Sequence, residues 1–319
     1  MSAPAKLAGF AALLAVLFGG GALAGGAIGP APAERAAAHG GSAEAKSEGA
    51  HGAASKEHEN VSDTTHIDNT PGGHGGEQAA HPVRGLAVAE NGLRVVVEDP
   101  ELRRGRTEDV RFRIVDESGD TVRDFDVEHT RRMHLIVARR DLTGFQHLHP
   151  TQDADGSWSV PLRLTEAGSY RLFADFSSGD EASTLASDLR VDGAAELTPL
   201  PAPASSSVSD GGYDVRLEAG RARPGQEADL RFTVTLDGET VHTEPYLGAG
   251  GHLVALREGD LAFLHVHPTD DGHGNEQTDE HDDSIGFAAT FPTEGRYRLF
   301  LQFKHDGRVE TVAFTQEVK

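Results

Sequence analysis

Beyond Leu86 the large apolar residues of this chain arrive in short bursts, and no stretch repeats every 3.6 residues as a helix face would. Val95-Val96-Val97, Val110-Arg-Phe-Arg-Ile-Val115 and Leu135-Ile-Val137 are rich in β-branched and aromatic residues, with Asp-Gly, Glu-Gly and Ser-Gly turn signals between such runs. Runs of this kind predict strands, and about seven short strands per hundred residues predict an antiparallel β-sandwich. The pattern occurs twice. "GLRVVVE" at Gly92 answers "GYDVRLE" at Gly212, an offset of 120. "HLIVARRDLTGFQHLHP" at His134 answers "HLVALREGDLAFLHVHP" at His252, an offset of 118, whereas Tyr170 and Tyr297 differ by 127. The growth in offset places an insertion in the second copy, within the polar, turn-rich "TDDGHGNEQTDEHDDS".

The expected fold class is therefore all-β: two tandem immunoglobulin-like antiparallel β-sandwich domains, residues 85–193 and 211–319. A Pro-, Ser- and Ala-rich linker, 194–210, joins them. A Gly-x-Tyr at the start of a late strand, "AGSY" and "EGRY", matches a tyrosine corner, so Tyr170 and Tyr297 are expected to be structural. Trp158, just after Asp155-Gly156, is expected in the core. Residues 1–29 carry Lys6 and then an uncharged, Ala- and Gly-rich apolar run. This is the pattern of a signal peptide or an N-terminal membrane anchor. Residues 30–84 lack large apolar residues and read as a disordered tether, with His39, His51, His58, His66, His74 and His81 scattered through it.

Charge and composition narrow the chemistry. With 29 Lys+Arg against 51 Asp+Glu, the formal net charge of −22 argues against nucleic acid and favours cations. There is no cysteine among the 319 residues, which excludes disulfides, thiolate metal sites and cysteine nucleophiles. Any metal must be held by nitrogen, oxygen or thioether, and the 17 histidines make nitrogen the leading candidate.

Six of those histidines recur in register. His147 and His149 lie at i and i+2, so on a strand they share a face while Leu148 points the other way. His265 and His267 do the same around Val266. His134 and His252 lie 13 residues upstream of His147 and His265. A tight hairpin through "RRDLTG" or "REGD" sets His134 opposite His147 and His252 opposite His265, with β-carbons about 5 Å apart. Three imidazoles on one hairpin face suit Cu(II) or Zn(II). A slip by one residue breaks the trio. Pro150 and Pro268 cannot continue a ladder, which sets His149 and His267 at strand ends. Met133 either packs or adds a thioether for Cu(I). Glu128 and His129 in the first copy, His242 in the second, and His273 and His281 in the inserted loop form a looser second site, or none. Asp175 is matched by Gln302 and so is not a ligand common to both copies.

With "MHLIVARRDLTGFQHLHP", "DGSW" and "AGSYRLFADF" in view, the chain resembles exported, actinobacterial-type tandem H-x-H-P proteins. It is also similar to CopC- and YtkA-like immunoglobulin-fold copper-handling domains. The resemblance covers Leu86 to Lys319 and implies metal binding outside the cytoplasm. The expectation is a non-enzymatic extracytoplasmic protein, secreted or membrane-anchored, for metal handling or resistance. Each domain would hold a copper ion (alternatively zinc) through His134, His147 and His149 or through His252, His265 and His267. Its partners would be metal ions and a membrane copper transporter or cuproenzyme, and its affinity would fall below about pH 6.5, where free imidazoles protonate. The alternatives are a structural or adhesive immunoglobulin-like exported protein without metal, and a zinc hydrolase. The last lacks a carboxylate common to both copies beside the trio.

Overall fold

The structure is a computed structural model that describes residues 83–179, 181–269 and 284–319; for His265 and His267 it describes the backbone alone. The signal or anchor segment, the tether as far as residue 82 and the inserted loop 270–283 lie outside the described residues. Among the described residues no helix is long and apolar enough to cross a membrane. Residues Gly72–Lys319 form one unit.

The alternating runs fold as strands throughout, in two sandwiches. The first contains β1 (Ala89–Glu90), β2 (Leu93–Val97), β3 (Glu101–Leu102), β4 (Thr107–Val115), β5 (His134–Arg139), β6 (Gln146–Leu148), β7 (Thr151–Gln152), β8 (Trp158–Arg163), β9 (Gly168–Ser178) and β10 (Glu181–Val191). Its sheets run β1-β2-β4-β8-β7 and β3-β10-β9-β5-β6. The second contains β11 (Ser206–Val208), β12 (Asp214–Ala219), β13 (Glu227–Leu236), β14 (Glu239–Thr240), β15 (His252–Arg257), β16 (Phe263–His265), β17 (His267–Pro268), β18 (Ile285–Thr290), β19 (Gly295–His305) and β20 (Arg308–Val318). Its sheets run β11-β12-β13-β18-β17, with β14 on β13, and β16-β15-β19-β20. Pairing is antiparallel except for β3 against β10. Both tyrosine corners form: Tyr170 donates to the Glu166 carbonyl at 2.8 Å and Tyr297 to the Thr293 carbonyl at 3.0 Å. Trp158 is in the core, edge-on to Phe125.

Each sandwich has its own core, and a third apolar cluster joins them. Along β5, Leu135 and Val137 enter the first core, while Ile136 and Ala138 face the other way. Along β15, Leu253 and Ala255 enter the second core, and Val254 and Leu256 face outward. The outward sets meet each other, with Phe173, Phe263 and Phe300 between them. Phe145 stacks on Phe300 with centroids 4.0 Å apart. All six residues of β5 are buried, as expected of a strand covered on both faces. The seam between modules is thus a sheet packed on a sheet.

The hairpins differ from the expected register. Ile136, not His134, pairs with His147, and Val254, not His252, pairs with His265. The cause is a wider turn. The Asp141 carboxylate accepts from the Thr143 amide and hydroxyl and from the Thr198 amide, and Leu142 and Gly144 take positive φ. Asp260 and Leu261 repeat this in the second hairpin. The ladder slides by two residues, so side-chain parity survives and His134 still shares a face with His147. Pro150 marks a crossover from β6 in one sheet to β7 in the other. In the second copy Pro268 is the last residue of the crossover strand β17, paired with Phe287 at a sheet edge.

Removing the Phe173 ring tests the seam. Phe173 is fully buried between the modules, so Phe173→Ala should cost about 3–5 kcal/mol, read by urea unfolding. A loss below about 1 kcal/mol would mean that the seam does not hold in solution.

Candidate metal centre

His134 opens β5 on its outward face, directly across from Asp175 on β9. His147 and His149 flank Leu148, which packs on the first core, so both imidazoles project toward the seam. One nitrogen from each of His134, His147 and His149 can be chosen so that all lie within 4.8 Å of one another. Met133 points into the first core and takes no part.

The hydrogen bonds around the trio set its tautomers. His134 Nε2 lies 3.2 Å from the Glu128 carbonyl oxygen, which only accepts, so Nε2 carries the proton. His147 Nδ1 lies 2.7 Å from Gln302 Oε1, which assigns the proton there to Nδ1. The remaining nitrogens, His134 Nδ1 and His147 Nε2, face each other at 3.0 Å. In these tautomers both present a lone pair, an arrangement that needs a proton or a cation between them. His149 Nε2 is buried and has no hydrogen-bond partner. Metal-ligating histidines commonly donate their second N–H to a carbonyl or carboxylate in this way. The 3.0 Å spacing lies between the separations of cis donors on square-planar and tetrahedral ions, about 2.8 and 3.3 Å for metal–nitrogen bonds of about 2.0 Å.

A proton is a poor occupant. Burial first, then the His134 and His149 imidazoles, push the His147 pKa from 6.5 down to about 3, against the opposing effects of Gln302 and Asp175. His149 is pushed to about 4 by burial, then by His134 and Arg131. Burial thus holds these two nitrogens unprotonated to lower pH than free imidazoles.

A histidine of the second copy also reaches the first-copy trio. The His252 ring stacks on that of His134, with centroids 5.7 Å apart and planes within 9°. It lies 4.7 Å from the His147 ring. β5 and β15 meet at their first residues across the seam, so the second-copy histidine joins the first-copy trio. The backbones of His265 and His267 lie in β16 and β17, on strands of different sheets. His129 also reaches the cluster, at 6.1 Å from His134 and 6.0 Å from His252. It sits with Thr130 in a tight turn closed by Glu128 and Arg131, at φ 45° and 67°. Side chains avoid this left-handed region, and a β-branched one most of all. Glu128 contributes its carbonyl, and His242 is exposed.

Two further residues enter the cluster. Asp175 and Gln302 occupy equivalent positions opposite His134 and His252, and both are buried in the cluster. Thr184 donates to Asp175 at 2.6 Å, and the Gln302 amide donates to Thr311 at 3.2 Å. Their mismatch argued only against a common ligand. The usable signal was their place across the strand from a histidine.

Fold and site together define a tandem immunoglobulin-like β-sandwich protein with a histidine trio where its modules meet. The chain belongs to the family described as "Domain of unknown function (DUF8832)", whose model matches residues 87–193 and again 206–319. Among curated proteins none matches. Of solved structures, the Escherichia coli adhesin FdeC is similar at 15% identity and a TM-score of 0.25, covering 73% of this chain and 66% of that one. Salmonella alpha-2-macroglobulin is similar at 14% identity and 0.26, over 76% and 15%. The Yersinia pseudotuberculosis adhesin InvE is similar at 13% identity and 0.21, over 72% and 60%. The chain spans less than two thirds of the length of each of these three.

The depressed histidine pKa values predict an acid-labile fold without metal. Above about pH 6.5 His147 and His149 are neutral whether the chain is folded or not. Below it the unfolded chain takes up protons that the folded chain refuses, until about pH 4 and 3. Each group then removes at most about 1.4 kcal/mol per pH unit. Urea unfolding of the metal-free chain between about pH 7 and 4.5 should show a steeper loss than in His147→Gln/His149→Gln. Equal slopes would mean that these imidazoles are not buried neutral.

Proposed function

We propose that the chain is an extracytoplasmic metal-binding protein, without enzymatic activity, whose His134, His147 and His149 hold copper or, alternatively, zinc. The supporting observation is the pair of lone-pair nitrogens 3.0 Å apart, each imidazole fixed by a hydrogen bond from its other nitrogen. The buried, unpartnered His149 Nε2 supplies a third donor. Asp175 supplies a buried carboxylate that favours positive charge in the cluster. Metal ions are the direct ligands, and a membrane copper transporter or cuproenzyme is the fitting source or recipient. The tether histidines would gather ions loosely.

A second reading has its own observation. The His147–Gln302 hydrogen bond joins the two modules with no metal, and an apolar seam continues from it. In that reading the chain is a structural or adhesive immunoglobulin-like protein and the histidines are polar glue.

Calorimetric titration with Cu(II) and Zn(II) decides between them. The sample is the full chain with the six tether histidines changed to asparagine. Metal binding predicts a tight site with nitrogen hyperfine structure in the Cu(II) paramagnetic resonance spectrum. It also predicts a loss of roughly a hundredfold or more in His147→Ala/His149→Ala. Binding equal in parent and variant would favour the structural reading. The buried pKa values add a pH signature. From about pH 7 to 5 the site should weaken far less than three exposed imidazoles, which would lose more than roughly a thousandfold.

A further inference from the structure

The cluster does not stop at the first module. A ring whose nitrogen lies about 2.0 Å from an ion has its centroid about 3.2 Å from it, so two ligand rings stand about 4.5 Å apart at 90° and about 6.3 Å apart at 180°. Within the trio the centroids stand 5.3, 5.2 and 4.9 Å apart. His252 falls in the same window, at 5.7 Å from His134 and 4.7 Å from His147. Its nitrogens lie outside the 4.8 Å set, so the ring must turn about its side-chain torsions to present one. The second module already reaches the trio through Gln302, which orients His147. On the far side of this patch the modules hold one another through Ile136, Phe173, Val254 and Phe300.

We infer that the metal centre is shared between the two modules, with His252 turning in as a ligand beside His134, His147 and His149. This inference rests on the proposed metal-binding function. A cation bound there ties β5 and β6 of one sandwich to β15 of the other at the end of the seam where β5 and β15 begin. Metal occupancy then sets how firmly the modules are joined, because whatever binds the joined state alone stabilises it.

The test uses Cu(II) and Zn(II) on the full chain with the tether histidines changed to asparagine. His252→Phe keeps a ring stacked on His134 and removes the nitrogen, and His252→Gln guards against a packing defect in the first variant. The expected result is at least a tenfold loss of affinity in both, with one fewer nitrogen in the Cu(II) hyperfine pattern. In the unsubstituted chain, metal should slow amide exchange at Leu253–Leu256 as well as at Leu135–Val137. If both His252 variants bind within threefold of the parent while His147→Ala/His149→Ala loses the metal, the shared centre is wrong and the trio stands. If protection appears on β5 alone, the shared centre is again wrong. If the parent binds no metal, the reading beneath both fails.

Discussion

The structure depends on the seam between the two sandwiches. β5 and β15 are each covered on both faces, by their own core on one side and by the other module on the other. A sheet covered in this way cannot place polar groups on either face without partners. Where β5 and β15 begin, apolar packing gives way to His134, His252, Asp175 and Gln302. His134, Asp175 and Gln302 are buried and His252 is half-buried between two sheets, so the buried groups must be satisfied within the cluster or by a ligand. The candidate site is a consequence of the seam.

Much of the fold was legible because its signals are local. Alternation, turn residues and the doubled pattern led to two sandwiches, and Gly-x-Tyr led to the two corners. The shared face of His147 and His149 was legible because side-chain direction on a strand depends only on parity. That is why a two-residue error in the hairpin register left the trio intact. The register itself was not legible. It turns on the Asp141 carboxylate gathering three donors, one of them Thr198 from the distant linker. No local turn rule contains that contact.

The placement of His252 was lost for a different reason. Nothing in a single copy says which face its neighbour covers. Yet "HLIVA" carried a hint, since the four residues after His134 are all apolar. A half-exposed strand would alternate, and uninterrupted apolarity marks two buried faces. Followed through, that would have placed a partner sheet against His134. The equivalent strand of the second copy, beginning at His252, was the available candidate.

The two copies have kept the seam and diverged beside it. Asp175 answers to Gln302, the His129-Thr130 turn to Leu247-Gly248, and buried Met133 to Gly251. The second turn holds Leu247 at φ 54° and Gly248 at φ 89°, in the left-handed region where only the glycine is at ease. The first has Thr130 in place of that glycine, at a cost of order 1–3 kcal/mol. A glycine in place of Thr130 would relieve that strain, as Gly248 does in the second copy. The strained turn instead carries an imidazole to within 6.1 Å of His134 and 6.0 Å of His252, rings from both modules. The same turn supplies the Glu128 carbonyl that fixes the His134 tautomer. Among the described residues, the strain at Thr130 and the buried Asp175 carboxylate thus belong to the first module. Under the proposed function, a cation at the junction would lie against that carboxylate and the imidazole that the turn carries.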